Sequence, residues 1–127
     1  MILPPLRQVE ITAHFRRSLD VVEAFLREAT ALEAYDALLD DLLGTVIPNL
    51  ERFPEMGRDF LTRSAGSVEV AQGVEGLLAS RAIQHVREYI LPPYLLLYAT
   101  AERTVYLLSI RHHRQLSFDF PGLWNDV

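Results

Sequence analysis

The C-terminal third of the chain contains two apolar runs separated by a short polar segment. Residues 94–99 and 104–110 are rich in aliphatic, β-branched and aromatic side chains, and residues 100–103 between them are mostly polar. Runs of this kind favour β-strands, and the polar segment is typical of a hairpin turn. A preceding strand is expected over residues 87–91, because the prolines at 92–93 cannot continue a paired strand. The pattern therefore predicts three consecutive strands.

The N-terminal part begins with a strand pattern and continues with a helical one. Val9, Ile11 and Ala13 alternate with polar residues, which predicts a short, half-buried strand that ends at residues 15–17. Ser18 is a favourable N-cap for a helix after this strand. The apolar residues that follow at helical spacing are Leu19, Val22, Phe25, Leu26 and Ala29.

A second helix is predicted from Thr30 or Ala31. Its apolar residues recur every three or four positions, and acidic residues lie off this stripe. The stripe consists of Leu32, Tyr35, Leu39, Leu42, Val46 and Leu50. Gly44 and Pro48 interrupt the pattern, and the proline is expected to kink or end the helix by residues 48–53. The two helices must fold back as a hairpin or continue with a sharp bend, and their stripes favour antiparallel packing over a sheet.

These elements predict a single α+β domain over residues 1–127. Its N-terminal strand and helical hairpin are expected to pack on a small, twisted, mainly antiparallel sheet. Residues 64–76 have the composition of a loop, and residues 74–86 have the pattern of a short helix. Residues 59–85 are therefore interpreted as an inserted loop or helix.

The composition excludes several kinds of chemistry. The chain contains no cysteine, which excludes disulfides, thiolate nucleophiles and cysteine-ligated metals and suits a reducing cytoplasm. It contains no lysine, which excludes a lysine base or Schiff base. The net charge of −5 argues against a general nucleic-acid-binding protein. Neither a signal peptide nor a membrane-spanning run is recognised, so a cytoplasmic protein without membrane contact is expected.

A cluster of basic residues follows the last predicted strand. Residues 111–114 read Arg-His-His-Arg and can hold an anion or move a proton. Because neighbouring residues of a strand point to opposite faces, His112 is expected on the face of Arg114. His113 is expected on the other face with Arg111, so only one histidine can belong to a site. The structural alternative is that one histidine faces solvent and the other hydrogen-bonds a carboxylate. The alternation also excludes a two-histidine metal site, and no cofactor is expected.

Three motifs give the chain a resemblance to a known family. They are Phe-Pro-Glu-Met-Gly-Arg at 53–58, Tyr94 with Leu97 and Tyr98 in the next-to-last strand, and residues 105–114 in the last strand. In this order and spacing, the chain resembles the RelE/ParE superfamily of bacterial toxins from type II toxin–antitoxin systems. The resemblance is to the ParE-like, plasmid-stabilisation branch in particular, and it covers residues 9–58 and 86–115.

The resemblance implies a growth-inhibiting toxin that a cognate antitoxin neutralises by placing an amphipathic segment in an apolar groove. ParE-like members are associated with poisoning DNA gyrase and have no catalytic set, whereas RelE-like members cut mRNA on the ribosome. The acidic charge balance favours the binding toxin, and an inactive relative that serves as an interaction domain is the third interpretation. A homodimer or a toxin–antitoxin hetero-oligomer is expected. The aromatic segment 116–124 either extends the last strand or folds over the core, and an intermolecular contact is its second interpretation.

The candidate site residues follow from these alternatives. In nuclease chemistry, His112 or His113 would transfer protons and arginines would stabilise the phosphate charge. The candidate arginines for target or phosphate binding are Arg58, Arg87, Arg111 and Arg114. The resemblance places Arg58 near the functional face. Alternatively, it ties down its loop by pairing with Glu55 or Asp59.

Overall fold

The computed structural model of the chain describes residues 5–60 and 83–114. These residues form a five-stranded sheet with helices packed on one face. The strands are β1 (Gln8–Ile11), β2 (Arg58–Asp59), β3 (His85–Leu91), β4 (Tyr94–Thr100) and β5 (Thr104–His112). The helices are α1 (Ala13–Glu28), α2 (Glu33–Asp41) and α3 (Ile47–Arg52), and a π-helical turn at Leu42–Val46 joins α2 to α3.

The sheet is mixed, and its strand order is β1-β5-β4-β3-β2. Strand β1 lies parallel to β5, whereas all other neighbouring strands are antiparallel. The predicted α+β class with a mainly antiparallel sheet is therefore confirmed. The predicted strand over residues 87–91 and the predicted hairpin at 94–110 are also confirmed.

A register shift between β4 and β5 decides which side of the sheet the end of β5 faces. Leu97 is paired with Ser109 but Tyr98 is paired with Leu107, so β5 carries one extra residue at this point. An extra residue reverses the alternation of side chains between the two faces. As a result, His112 faces the helices, as Leu107 does before the shift.

The first helix begins earlier than the sequence pattern predicts. Because α1 begins at Ala13, the predicted strand through this residue and the predicted N-cap at Ser18 are wrong. The N-cap is Thr12, whose Oγ1 accepts a hydrogen bond from Phe15 N at 3.1 Å. The same hydroxyl donates to Leu107 O at 2.8 Å, so one side chain caps the helix and attaches it to β5.

Two polar side chains of α1 complete the backbone hydrogen bonding of β5. Strand β1 pairs with β5 only as far as Leu107. Beyond this point, His14 Nδ1 lies 2.9 Å from Leu108 O and acts as the donor, because a carbonyl oxygen can only accept. The Ser18 hydroxyl accepts a hydrogen bond from Ile110 N at 3.0 Å. Ser18 thus joins the helix to the strand instead of capping the helix.

The second helical arm consists of α2, the π-helical turn and α3. It continues past Gly44 and Pro48 and ends at Arg52. Gly44 lies in the π-helical turn, which is the observed interruption. Pro48 lies in the first turn of α3, a position where its missing N–H donor costs little. The arm therefore ends within the predicted segment 48–53.

The core lies between the helices and one face of the sheet. Its buried members are Phe15, Val22 and Leu26 of α1, Leu38, Leu42, Val46 and Leu50 of the second arm, and Tyr94, Leu96, Tyr98, Val105, Leu107 and Ile110 of the sheet. Burying one such side chain contributes about 1.5–3 kcal/mol. The predicted apolar stripe is confirmed except at Leu32, which is 43 % exposed and precedes the helix that begins at Glu33.

Several predictions concern residues outside the described part of the chain. The predicted loop at 64–76, most of the predicted helix at 74–86 and the segment 116–124 lie there. Residues 85–86 are described and belong to β3, so the predicted helix does not extend to residue 86. Within residues 5–60 and 83–114, no helix is long and apolar enough to cross a membrane.

Candidate functional site

His112 lies at the end of β5 and packs against aromatic residues of the core. Its ring centroid is 4.9 Å from that of Phe25 in α1 and 5.4 Å from that of Tyr94 in β4. The ring meets Tyr94 edge-on, an arrangement that aromatic pairs prefer, and the residue is only 8 % exposed. The imidazole therefore packs as part of the core and covers its aromatic residues at this end of the sheet.

The surroundings of His112 favour its neutral form. Arg114 N donates a hydrogen bond to His112 Nδ1 at 3.2 Å, so this nitrogen carries a lone pair and the neutral ring carries its proton on Nε2. Burial, with smaller contributions from the charges of His113 and Arg114, lowers the pKa of His112 below its ordinary value. Protonation at Nδ1 would break the hydrogen bond. His112 is consequently a poor general acid near neutral pH.

His113 lies beside His112 and not on the opposite face. The two rings are stacked, with centroids 4.6 Å apart and planes 27° apart. His113 N donates to Pro93 O at 2.8 Å, and its Nδ1 lies 3.2 Å from the same oxygen. The prediction that only one histidine can share a site is wrong, because side chains alternate only within a strand and β5 ends at His112.

Arg111 and Arg114 lie in different surroundings. Arg114 is exposed and follows His113 in the turn after β5. Arg111 is half-buried and is paired with Leu95 of β4, on the face of the sheet that points away from the helices. The structure therefore brings together His112, His113 and Arg114, which we call the strand-end cluster, and it separates Arg111 from them.

Arg58 is paired with a residue of the neighbouring strand. Its Nη2 lies 3.2 Å from Glu88 Oε2, and the side chains of Arg58 and Glu88 are 44 % and 9 % exposed. The predicted structural partners, Glu55 and Asp59, are replaced by Glu88 because the register of β2 and β3 places Arg58 directly opposite it. Since 44 % of the Arg58 side chain is exposed, its guanidinium stays accessible to a partner.

Residues 53–58, which we call the 53–58 loop, are held against the sheet by one buried tyrosine. Tyr98 is fully buried, and its hydroxyl donates a hydrogen bond to Pro54 O at 2.8 Å. The same hydroxyl accepts a hydrogen bond from Gly57 N at 2.8 Å. Burial is the largest effect on this phenol and raises its pKa, although the Gly57 hydrogen bond and nearby Arg87 act in the opposite direction. The hydroxyl therefore keeps the proton that it donates.

Arg87 and Gly57 complete this attachment. Arg87 Nη1 donates a hydrogen bond to Gly57 O at 3.0 Å. A Cβ atom at position 57 would lie 2.6 Å from Glu88 O and 2.6 Å from the Tyr98 hydroxyl oxygen, so only glycine fits. We call the contacts of Tyr98 and Arg87 with the loop the Tyr98 clamp. The sequence contains no local signal for the clamp, since Gly57 and Tyr98 are far apart along the chain.

The predicted site residues form two separate groups. Arg87 is paired with Tyr98, whereas His112 is paired with Tyr94 at the other end of β4. From the strand spacing, the Cα atoms of Arg87 and His112 are about 16 Å apart. Arg58 and Arg87 belong to the 53–58 loop and its clamp, and they do not join the strand-end cluster. Among the described residues, no group of three or more potential metal ligands is assembled.

The 53–58 loop exposes large apolar side chains. Phe53 is 58 % exposed and Met56 is 49 % exposed, and Ile90 of β3 is 46 % exposed. Met56 lines both a groove of about 530 Å³ with Phe53 and a smaller groove of about 260 Å³ with Ile90. We call Phe53, Met56 and Ile90 the apolar loop surface.

Comparison with known proteins identifies the class to which this fold belongs. The family described as "ParE toxin of type II toxin-antitoxin system, parDE" matches residues 9–117. Among solved structures, the fold is similar to a chain of the chromosomal ParDE toxin–antitoxin system from P. aeruginosa, with a TM-score of 0.55 and 14 % identity. That similarity covers 84 % of this chain and 96 % of the other. No curated protein matches the sequence significantly.

The chain belongs to the ParE toxin family of type II toxin–antitoxin systems. The match includes the 53–58 loop, β3, β4 and β5, where the candidate residues lie. Membership in this family implies an antitoxin as a partner.

Proposed function

We propose that the chain arrests bacterial growth in the cytoplasm by binding an essential protein such as DNA gyrase, without catalysis, and that a cognate antitoxin neutralises it. The observation that carries this proposal is the separation of the candidate catalytic groups. Cleavage of RNA by its 2′-hydroxyl needs a base, an acid and cations around one phosphate. Here the Cα atoms of Arg87 and His112 are about 16 Å apart, and Arg58 lies one strand further from His112 than Arg87 does.

The state of the individual groups supports the same proposal. His112 is buried and its pKa is lowered, and Arg87 already binds the backbone oxygen of Gly57. A toxin that only binds its target does not need these groups to converge on one atom. It needs accessible groups on a rigid surface, and His113 and Arg114 at the end of the sheet meet this need.

Growth arrest without antitoxin tests this proposal directly. Induced expression is expected to stop DNA replication and to trigger an SOS response. The variant Arg114→Ala is expected to weaken the arrest, because interface residues commonly contribute about 1–3 kcal/mol to binding. Arg103→Ala is a matched control, since Arg103 is also exposed but lies in the turn at the opposite end of the β4–β5 hairpin. Equal arrest by all three proteins would contradict the proposed role of the strand end.

The stacked imidazoles favour one second candidate, a ribosome-dependent mRNA endoribonuclease. His113 is exposed and lies 4.6 Å from His112 between ring centroids, next to Arg114. A general acid–base histidine typically contributes about 100- to 10,000-fold in rate. Site-specific mRNA cuts on purified ribosomes that disappear in His113→Ala would replace the proposed binding mechanism by this one.

A further inference from the structure

The 53–58 loop is fixed from inside by hydrogen bonds to its backbone. The Tyr98 hydroxyl binds Pro54 O and Gly57 N, each at 2.8 Å, and Arg87 binds Gly57 O at 3.0 Å. At the start of the loop, Phe53 N donates to Asn49 O at 2.6 Å. Both ends of the loop are therefore attached to the helical arm and the sheet. A loop held in this way loses little conformational entropy when a partner binds.

The same loop turns its largest apolar side chains towards solvent. Phe53 and Met56 are about half exposed, although the half-buried backbone beside them at Pro54 and Gly57 is hydrogen-bonded to Tyr98. A segment that served only as a connection would gain about 1.5–3 kcal/mol by burying each of them. Aromatic residues and methionine are enriched at the centres of protein interfaces. Rigid presentation of both residues indicates an interaction surface.

Charges of both signs surround this surface. Arg52 and Glu55 are exposed and line the larger groove with Phe53, and Arg58 lines the smaller groove beside Met56. An apolar centre with a polar rim is the usual arrangement of a protein–protein interface. The larger groove is lined by two arginines, Arg7 and Arg52, and by two glutamates, Glu51 and Glu55, so it lacks the excess of positive charge that a nucleic-acid site requires. The complementary partner is an amphipathic peptide segment with an acidic side chain that pairs with Arg52 and a basic side chain that pairs with Glu55.

We infer that an amphipathic segment of the antitoxin docks on the apolar loop surface, with Phe53 and Met56 as its anchoring contacts. The inference rests on the proposed function, since the antitoxin is the partner that the family implies. In this arrangement Tyr98 is a positioning residue. It does not touch the antitoxin, and it acts by holding the loop that does.

Binding of the antitoxin encoded beside the toxin gene tests the inference. The double variant Phe53→Ala, Met56→Ala is expected to weaken the dissociation constant by at least about 30-fold, the change that follows the loss of one hot-spot residue. The control is the double variant Val21→Ala, Leu43→Ala, which truncates residues that are 55 % and 68 % exposed elsewhere on the helices. Its dissociation constant should change by less than about 3-fold. Circular dichroism checks that all variants are folded.

The role of Tyr98 is tested by a double-mutant cycle. Tyr98→Phe is expected to weaken antitoxin binding because the loop loses both contacts of the hydroxyl. This loss should be much smaller in the Phe53→Ala, Met56→Ala background, because there is then no anchor left to position. Equal losses in both backgrounds would show that Tyr98 affects binding only through general stability.

The remaining outcomes separate this inference from the proposed function. Unchanged antitoxin affinity of the Phe53→Ala, Met56→Ala variant would overturn the docking surface. Loss of growth arrest with unchanged antitoxin affinity would also overturn it, by assigning the surface to the cellular target. A wild-type chain that binds the antitoxin through these residues but does not arrest growth would refute the proposed function and support the docking surface.

Discussion

Replacing Gly57 by alanine tests how tightly the 53–58 loop is held against the sheet. A Cβ atom at this position would lie 2.6 Å from Glu88 O, 2.6 Å from the Tyr98 hydroxyl oxygen and 2.7 Å from Tyr98 Cε1. Neither neighbour moves easily. Glu88 O belongs to the backbone of β3, and the Tyr98 side chain is fully buried in the core. The loop must therefore move away from the sheet or the tyrosine must be displaced.

The expected loss of folding free energy follows from these contacts. Overpacking a well-packed site usually costs about 1–3 kcal/mol. Moving the loop also breaks the two hydrogen bonds of Tyr98, so the loss should lie in the upper part of this range, at about 2–3 kcal/mol. For a domain of this size, each kcal/mol corresponds to about 4 °C, so Tm should fall by about 8–12 °C.

Thermal and urea unfolding followed by circular dichroism measure this loss. The matched control is Gly44→Ala, because a Cβ atom at position 44 would meet no atom within 4 Å apart from its chain neighbours and the backbone of its own helix. That variant should be as stable as the wild type or up to about 1 kcal/mol more stable, since alanine restricts the unfolded chain and favours helix. If Gly57→Ala were as stable as Gly44→Ala, the close contact of the loop with the sheet would be refuted.

Two further predictions concern a buried phenol and a buried imidazole. Tyr98→Phe should destabilise the protein by about 1–3 kcal/mol in urea unfolding, because Pro54 O and Gly57 N lose their partner; a loss below about 0.5 kcal/mol would show that solvent replaces the hydroxyl. Because the folded state holds the pKa of His112 below the unfolded value of about 6.5, the unfolded chain binds the proton more readily. The stability that this group contributes is complete above about pH 6.5 and is lost as the pH falls towards the folded-state pKa. Wild-type protein should therefore lose more stability between about pH 7 and about pH 5 than His112→Phe, and equal losses would contradict the neutral, buried imidazole.

The elements that depend on local pattern could be predicted from the sequence. The β4–β5 hairpin consists of two apolar runs around a polar turn, and β3 ends before a pair of prolines. The helical arms bury stripes that recur at helical spacing, such as Leu42, Val46 and Leu50. In each case the neighbouring residues along the chain determine the structure, so no distant contact has to be known.

The errors concern residues whose role is set by contacts far away in the sequence. Ser18 has the side chain of a typical cap, but it binds Ile110 N because β1 does not extend far enough to do so. The alternation of side chains along a strand predicts that His112 and His113 lie on opposite faces of the sheet. This prediction fails because the chain turns back towards Pro93 after β5. The Tyr98 clamp joins positions that no spacing rule connects. The hydrogen-bond partners at the candidate site could therefore not be predicted.

The parallel pairing of β1 with β5 has a consequence for the order in which the chain can fold during synthesis. Gln8 is paired with Thr104, and α1 is attached to Leu107 and Ile110 by side chains. The first strand and helix thus find their partners only after nearly the whole chain has been made, and such long-range closure is slow. A growing or truncated chain without β5 has no completed sheet to present a binding surface. Toxicity should therefore require a chain that includes β5, which leaves time for an antitoxin made alongside it to be present when folding is completed.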